Sequence, residues 1–135
     1  MCIRDSLYTP YLVEEITDQD GNVVSKHDST PIRQVVSEET SALVRDIMEY
    51  EVTSGTGKNG QVAGYRIGGK TGTAQTGQYN AEGEELLNYW FSGFYPAEAP
   101  RYTITILQDG ILKPETSSAA LFARVTEILR VWEGG

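Results

Sequence analysis

The 135-residue chain carries 19 acidic and 11 basic side chains, a formal net charge of -8, with 39% hydrophobic and 22% charged residues. This is the length and composition of one soluble globular domain with a core, and its acidity argues against nucleic acid or an anionic membrane surface as partner. No apolar run reaches the roughly 18 residues a membrane-spanning helix needs.

The opening MCIRDS looks like a translated sequencing-adapter sequence, so residues 1–6 are set apart from the fold and the domain is read over residues 7–135. Cys2, the only cysteine, goes with them, which removes any basis for a disulfide or a thiolate metal site. Residues 11–26, YLVEEITDQDGNVVSK, predict a β-hairpin, two β-prone runs flanking Asp20-Gly21. Asp18, Asp20 and Asn22 also suggest a calcium loop, but the twelfth position from Asp18 is Ser29 where a Glu is required, so turn chemistry is the better account. His27, the only histidine, follows in a polar context and reads as a surface residue.

Ser37 is placed to cap a helix that ends near Val52. Glu38 and Glu39 suit its positive end, and Leu43, Val44, Ile47 and Met48 form its apolar stripe. TSGTGKNG, residues 53–60, reads as a loop. Three strands are expected at residues 65–75, 88–95 and 102–108, with TGQYNAEGEELL between the first two as a polar excursion. A helix over 117–133 closes the chain, its stripe Leu121, Phe122, Val125, Ile128, Leu129 and Trp132 laid on an antiparallel sheet. The fold class is α+β.

The segment GYRIGGKTGTAQ, residues 64–75, fits two chemistries. From Gly64 it satisfies G-x-x-x-x-G-K-[ST], a phosphate-binding loop. Such a loop needs a buried parallel strand before it and a helix after it. SGTGKNGQVA cannot form that strand, and Gly72, Gly77 and Gly83 would each cost a helix about 1 kcal/mol. A nucleotide is therefore excluded. From Lys70 the segment contains Lys-Thr-Gly, a motif of serine penicillin-binding enzymes and class A β-lactamases. Here Thr71 and Thr73 share one strand face, Lys70 faces the other by strict alternation, and Gly68, Gly69 and Gly72 would admit a substrate backbone.

The stretches LVEEITDQDGNVV, RQVVSEETSALVRDIMEYEVTSGTG, VAGYRIGGKTGTAQ and YWFSGFYPAEAPRYTITILQDG, in that order, resemble the C-terminal part of the transpeptidase domain of class B penicillin-binding proteins. The resemblance implies a β-lactamase/transpeptidase-like fold, in which the strands here belong to a five-stranded sheet. It implies serine acyl transfer on peptidoglycan stem peptides ending in D-Ala-D-Ala, acylation by β-lactams, no cofactor and no metal. A location on the extracytoplasmic face of the bacterial membrane is implied as well, the parent protein being anchored by a segment outside this sequence, with the rest of that parent and cell-wall synthesis proteins as partners. Carried onto this chain, Lys70, Thr71, Gly72 and Thr73 would be catalytic, Lys70 as the positive charge and the Thr73 N–H as an oxyanion donor. Thr71, Thr73, Gly69, Ala74 and Gln75 would contact substrate.

The family's nucleophile motif, S-x-x-K, is missing: none of Ser6, Ser25, Ser29, Ser37, Ser41, Ser54, Ser92, Ser117 or Ser118 has a lysine three residues on, and none fits S-x-N. The chain is thus expected to be inactive alone. A D,D-carboxypeptidase or β-lactamase relative, and a non-catalytic sensor or binding module, stay open as alternatives.

Overall fold

The computed structural model describes residues 5–133. The chain forms two compact units, Met1–Leu43 and Val44–Gly135.

In the first unit β1 (Ser6–Tyr8) pairs antiparallel with β4 (Pro31–Gln34), and β2 (Glu15–Thr17) with β3 (Val23–Lys26). The second pair is the hairpin the sequence predicts. Its turn is held by the Asp18 carboxylate, which accepts the N–H groups of Asp20 at 2.9 Å and Asn22 at 2.8 Å and the Asn22 side-chain amide at 3.0 Å. Gly21 takes φ 84°, a conformation that favours glycine. Those donors account for the Asp18 oxygens, so the acidic cluster is a turn. The pairing of β1 with β4 is not anticipated by the sequence pattern. It draws in residues 5 and 6, for Val35 N–H donates to Asp5 O at 2.7 Å and Ser6 lies opposite Gln34. Residues 1–4, with Cys2, lie outside the described residues. The His27 ring stacks on Tyr11 with centroids 3.9 Å apart.

Helix α1 (Glu38–Ser54) starts in the first unit and continues into the second. Ser37 caps it as predicted, its hydroxyl accepting the Thr40 N–H at 3.1 Å. The helix ends at Ser54, close to the expected Val52. Its predicted stripe does not bury: Leu43, Val44 and Ile47 are exposed and Met48 is half-buried, whereas Val52 is 2% exposed. A short 3-10 turn follows at Lys58–Gly60, inside the stretch read as a loop.

The second unit is built on one antiparallel sheet in the order β5 (Gly68–Tyr79), β6 (Glu85–Tyr95), β7 (Tyr102–Ile111), with helix α2 (Ser118–Glu133) packed against β6 and β7. Strands and helix occupy the predicted places. The polar excursion, however, is mostly strand, and only residues 80–84 turn. There Asn80 Oδ1 accepts the N–H groups of Glu82 at 3.1 Å and Glu84 at 2.8 Å, and Gly83 takes φ 82°. This repeats the Asp18–Asn22 turn, with an amide in place of the carboxylate.

On the α2 side of the sheet Phe91 packs edge-on to Phe122, centroids 4.9 Å apart, both fully buried with Val52, Val62, Ile67, Tyr95 and Ala119. The buried face of α2 is Ser118, Ala119, Phe122 and Thr126, so the predicted stripe holds at Phe122, is half-buried at Leu121, Val125 and Leu129, and fails at Ile128 and Trp132, which are exposed. The small residues win because Phe91 and Phe122 already fill the space, and a close helix approach needs Ala or Ser where it touches the sheet.

Candidate functional site

The site lies where the end of α1 meets β5. Gly55 N–H and Gly57 N–H both donate to Glu51 O, at 2.9 and 3.3 Å, so the chain turns tightly as it leaves the helix. Gln61 Nε2 then ties back to Val52 O at 2.9 Å. Arg66 grips Glu49 with two bonds of 2.6 Å, a geometry that a guanidinium and a carboxylate share. That pairing holds the Glu49 carboxyl below its ordinary value and raises the Arg66 guanidinium. These ties set Thr56 against β5, its hydroxyl 2.8 Å from that of Thr71.

Lys70 and Thr71 come together despite facing opposite sides of the strand. Strand β5 is at the end of the sheet order, so the Lys70 side chain curls around the open edge. Its ammonium donates to Thr71 O at 3.0 Å, Thr71 Oγ1 at 3.1 Å and Glu51 Oε1 at 3.3 Å. Four side chains thus form one polar cluster: Glu51, Thr56, Lys70 and Thr71. Bonding to Thr56 and then to Lys70 outweighs partial burial and holds the Glu51 carboxyl below its ordinary value.

Beside the cluster is a cavity of about 120 Å³ whose lining includes Thr56, Asn59, Thr71, Gly72, Thr73 and Ser117. Since a water occupies roughly 30 Å³ of liquid, this space suits a carboxylate-sized group and not a whole peptide. Asn59 Nδ2 donates to Ser117 Oγ at 3.3 Å across it. Thr71, Gly72 and Thr73 line one recess.

Gly69, Ala74 and Gln75 are placed otherwise. A Cβ on Gly69 would lie 2.4 Å from Phe91 Cζ, and one on Gly68 would lie 2.2 Å from Phe94 Cζ. These glycines make room for buried rings. Only Gly72, whose Cβ would meet Trp90 Cβ at 3.4 Å, is unconstrained in that way. Ala74 is exposed and does not line the cavity, and Gln75 Nε2 donates to Glu85 Oε2 at 2.8 Å. Sequence reasoning misses Glu51, Thr56 and Asn59. They sit at the end of α1 and in the segment that follows it, whose sequence shows only glycine punctuation, and nothing in local pattern ties it to a strand 15 residues on.

Residues 4–127 match the penicillin binding protein transpeptidase domain. Stage V sporulation protein D of Bacillus subtilis is 42% identical over 108 residues, covering 77% of this chain and 16% of that protein. Penicillin-binding protein PbpB of Mycolicibacterium smegmatis is 34% identical over 136 residues, covering 89% and 20%. Among solved structures, penicillin binding protein 3 from Mycobacterium tuberculosis complexed with ampicillin superposes with a TM-score of 0.73 at 30% identity, over 90% of this chain and 30% of that one. The D,D-transpeptidase domain of a peptidoglycan glycosyltransferase from Eggerthella lenta gives 0.74 at 29% identity, over 95% and 29%. The chain spans 16% and 20% of the length of the two curated relatives. A match of this extent, with the Lys-Thr-Gly strand bordering a recess, makes the chain a member of the penicillin-binding protein transpeptidase family, of the class B kind.

Proposed function

We propose that the chain supplies one wall of a serine D,D-transpeptidase site that cross-links peptidoglycan stem peptides and is acylated by β-lactams. The observation that carries this reading is the Lys70 ammonium set among hydroxyls beside a carboxylate-sized recess lined by Thr71 and Thr73. The reaction needs three things from this wall. A cation steadies the anionic end of the donor peptide, hydroxyls fix the terminal D-alanine carboxylate, and an N–H donor meets the oxyanion of the tetrahedral intermediate. Lys70 accounts for the first, and Thr73 with Thr71 for the second.

The third is supported by strand geometry. Lys70 reaches Thr71 O because that carbonyl points off the open edge of β5. Residues two apart on a strand share that direction, so the Thr73 N–H points off the same edge, toward a bound acyl group. Loss of one such donor costs roughly 3 kcal/mol of transition-state stabilisation.

The serine that attacks the D-Ala-D-Ala bond and the lysine that activates it come from outside these 135 residues, since no S-x-x-K occurs within them. The chain alone is therefore inactive. The longer protein belongs on the extracytoplasmic face of the membrane, where its stem-peptide substrate is. The missing nucleophile also favours a second reading, a binding module that keeps the fold without the chemistry.

Fluorescent penicillin separates the two. It is expected to leave this chain unlabelled and to label a longer protein from the same reading frame that carries S-x-x-K. In that protein Lys70→Ala should slow acylation on the order of 100-fold or more with folding intact. Unchanged acylation removes Lys70 from the site, and a reading frame without S-x-x-K upstream supports the binding module.

A further inference from the structure

Glu51 belongs to α1, yet its Oε1 lies 3.3 Å from the Lys70 ammonium and forms an ion pair with it. The two partners are unequally held. The Glu51 side chain is 18% exposed and that of Lys70 59%. Glu51 also accepts the Thr56 hydroxyl at 2.5 Å, and Gly55 presses on it, for a Cβ there would stand 2.1 Å from Oε2. The carboxylate is thus the fixed member of the pair. The ammonium, on a flexible four-carbon stem at the open edge of β5, is the member that can move. Bonding to Thr56 and then to Lys70 keeps Glu51 ionised at neutral pH. Among the described residues neither group has a second ion-pair partner.

The neighbouring recess carries no charged side chain in its lining among the described residues. Two of its lining hydroxyls lead directly to charge: Thr71 accepts from Lys70, and Thr56 donates to Glu51. These charges are opposite and paired, so together they attract an anion less strongly than Lys70 does alone.

We propose that Glu51 is the resident counter-ion of Lys70, a positioning residue that acts through the ammonium and sets how strongly the recess attracts an anionic ligand. A carboxylate that enters the recess shares Lys70 with Glu51, which stays anchored by Thr56. That the carboxylate belongs to a stem peptide or a β-lactam rests on the transpeptidase reading; the counter-ion role does not. Glu51→Gln isolates the charge, because the Gln oxygen still accepts from Thr56 and Lys70.

The first test uses acetate, titrated into the 135-residue chain at constant ionic strength and followed through the amide signals of Thr71, Gly72 and Thr73. Glu51→Gln should bind acetate about threefold to fivefold more tightly than the unchanged chain, the scale of one partly exposed charge pair. Acetamide should bind both alike, and adding Lys70→Met to Glu51→Gln should remove the gain. Equal acetate affinity with and without the Glu51 charge overturns the proposal, as does a gain that acetamide shares or that survives the loss of Lys70. Should the Phe91 and Phe122 ring shifts show that Glu51→Gln does not fold, the unchanged chain decides. Its Lys70 Cε signal should then shift as pH falls, with a midpoint below 4.5, the ordinary value for Glu51, and a Lys70 signal that does not titrate overturns the pairing. The second test uses a longer protein carrying the nucleophile. There Glu51→Gln should raise the acylation rate by benzylpenicillin by the same factor and leave that by its neutral methyl ester unchanged. No rise, or a rise shared by the ester, overturns the role of Glu51 in the reaction. Absence of acylation in the unsubstituted longer protein, with the acetate result intact, overturns the transpeptidase reading and leaves the counter-ion standing.

Discussion

The two hairpins of this protein share a turn and differ in everything around it. In β2–β3 an Asp18 oxygen accepts the N–H groups two and four residues on, and Gly21 takes φ 84°. In β5–β6 an Asn80 oxygen does the same, with Gly83 at φ 82°. Yet β2 and β3 are three and four residues long and wholly exposed, whereas β5 and β6 run 12 and 11 residues and contain fully buried Phe91 and Phe94. A turn chooses where the chain reverses. The apolar surface above the strands sets how long they stay paired, because each further ordered residue costs roughly 1–2 kcal/mol of backbone entropy that burial must offset.

The largest expected effect follows from the ring that anchors the long hairpin. Phe91→Ala should cost the second unit about 4 kcal/mol by leaving a cavity against Phe122. Urea unfolding with hydrogen exchange would measure it, and the β2–β3 amides should be unaffected. Equal loss of protection in both hairpins would break the contrast.

A smaller effect separates the turns directly. Gly83→Ala and Gly21→Ala impose the same left-handed strain of about 1–2 kcal/mol. In β5–β6 that strain should appear in global unfolding of the second unit, while in β2–β3 it should appear only as faster local exchange. A global effect from Gly21→Ala would mean that the short hairpin is also held by packing.

The smallest effect is one of pH. Asp18 is held below its ordinary 3.8, chiefly by the Asn22 side-chain amide and then its backbone N–H. Its support for the turn is complete above 3.8 and is lost as pH falls through the lowered value. The Asn80 amide has no such transition. Between roughly pH 5 and 2, exchange at Asn22 should therefore accelerate beyond the intrinsic trend and exchange at Glu84 should not, on account of these two residues. Asp18→Asn should erase the difference.

The candidate site was legible only in part. Lys70, Thr71 and Thr73 stand in one short segment, and their motif is readable because all the spacing it needs lies along one strand. The first hairpin turn was legible through Asp20-Gly21. The second was missed because Asn80 and Gly83 are three residues apart, so the glycine looked like loop composition.

By itself the sequence determined the β2–β3 hairpin, the order of the two helices and the three-stranded sheet, the cap at Ser37, the antiparallel nature of β7 and the family to which the chain belongs, all of which reside in local spacing or in the order of motifs. Tertiary structure alone decided which face of α1 and α2 is buried, that Gly68 and Gly69 serve Phe94 and Phe91, and that Glu51 and Thr56 meet Lys70 and Thr71. The reason is that periodicity marks a residue as apolar or polar but carries no information about its partner. Partners are selected by packing, where two rings already in place leave room only for a missing Cβ.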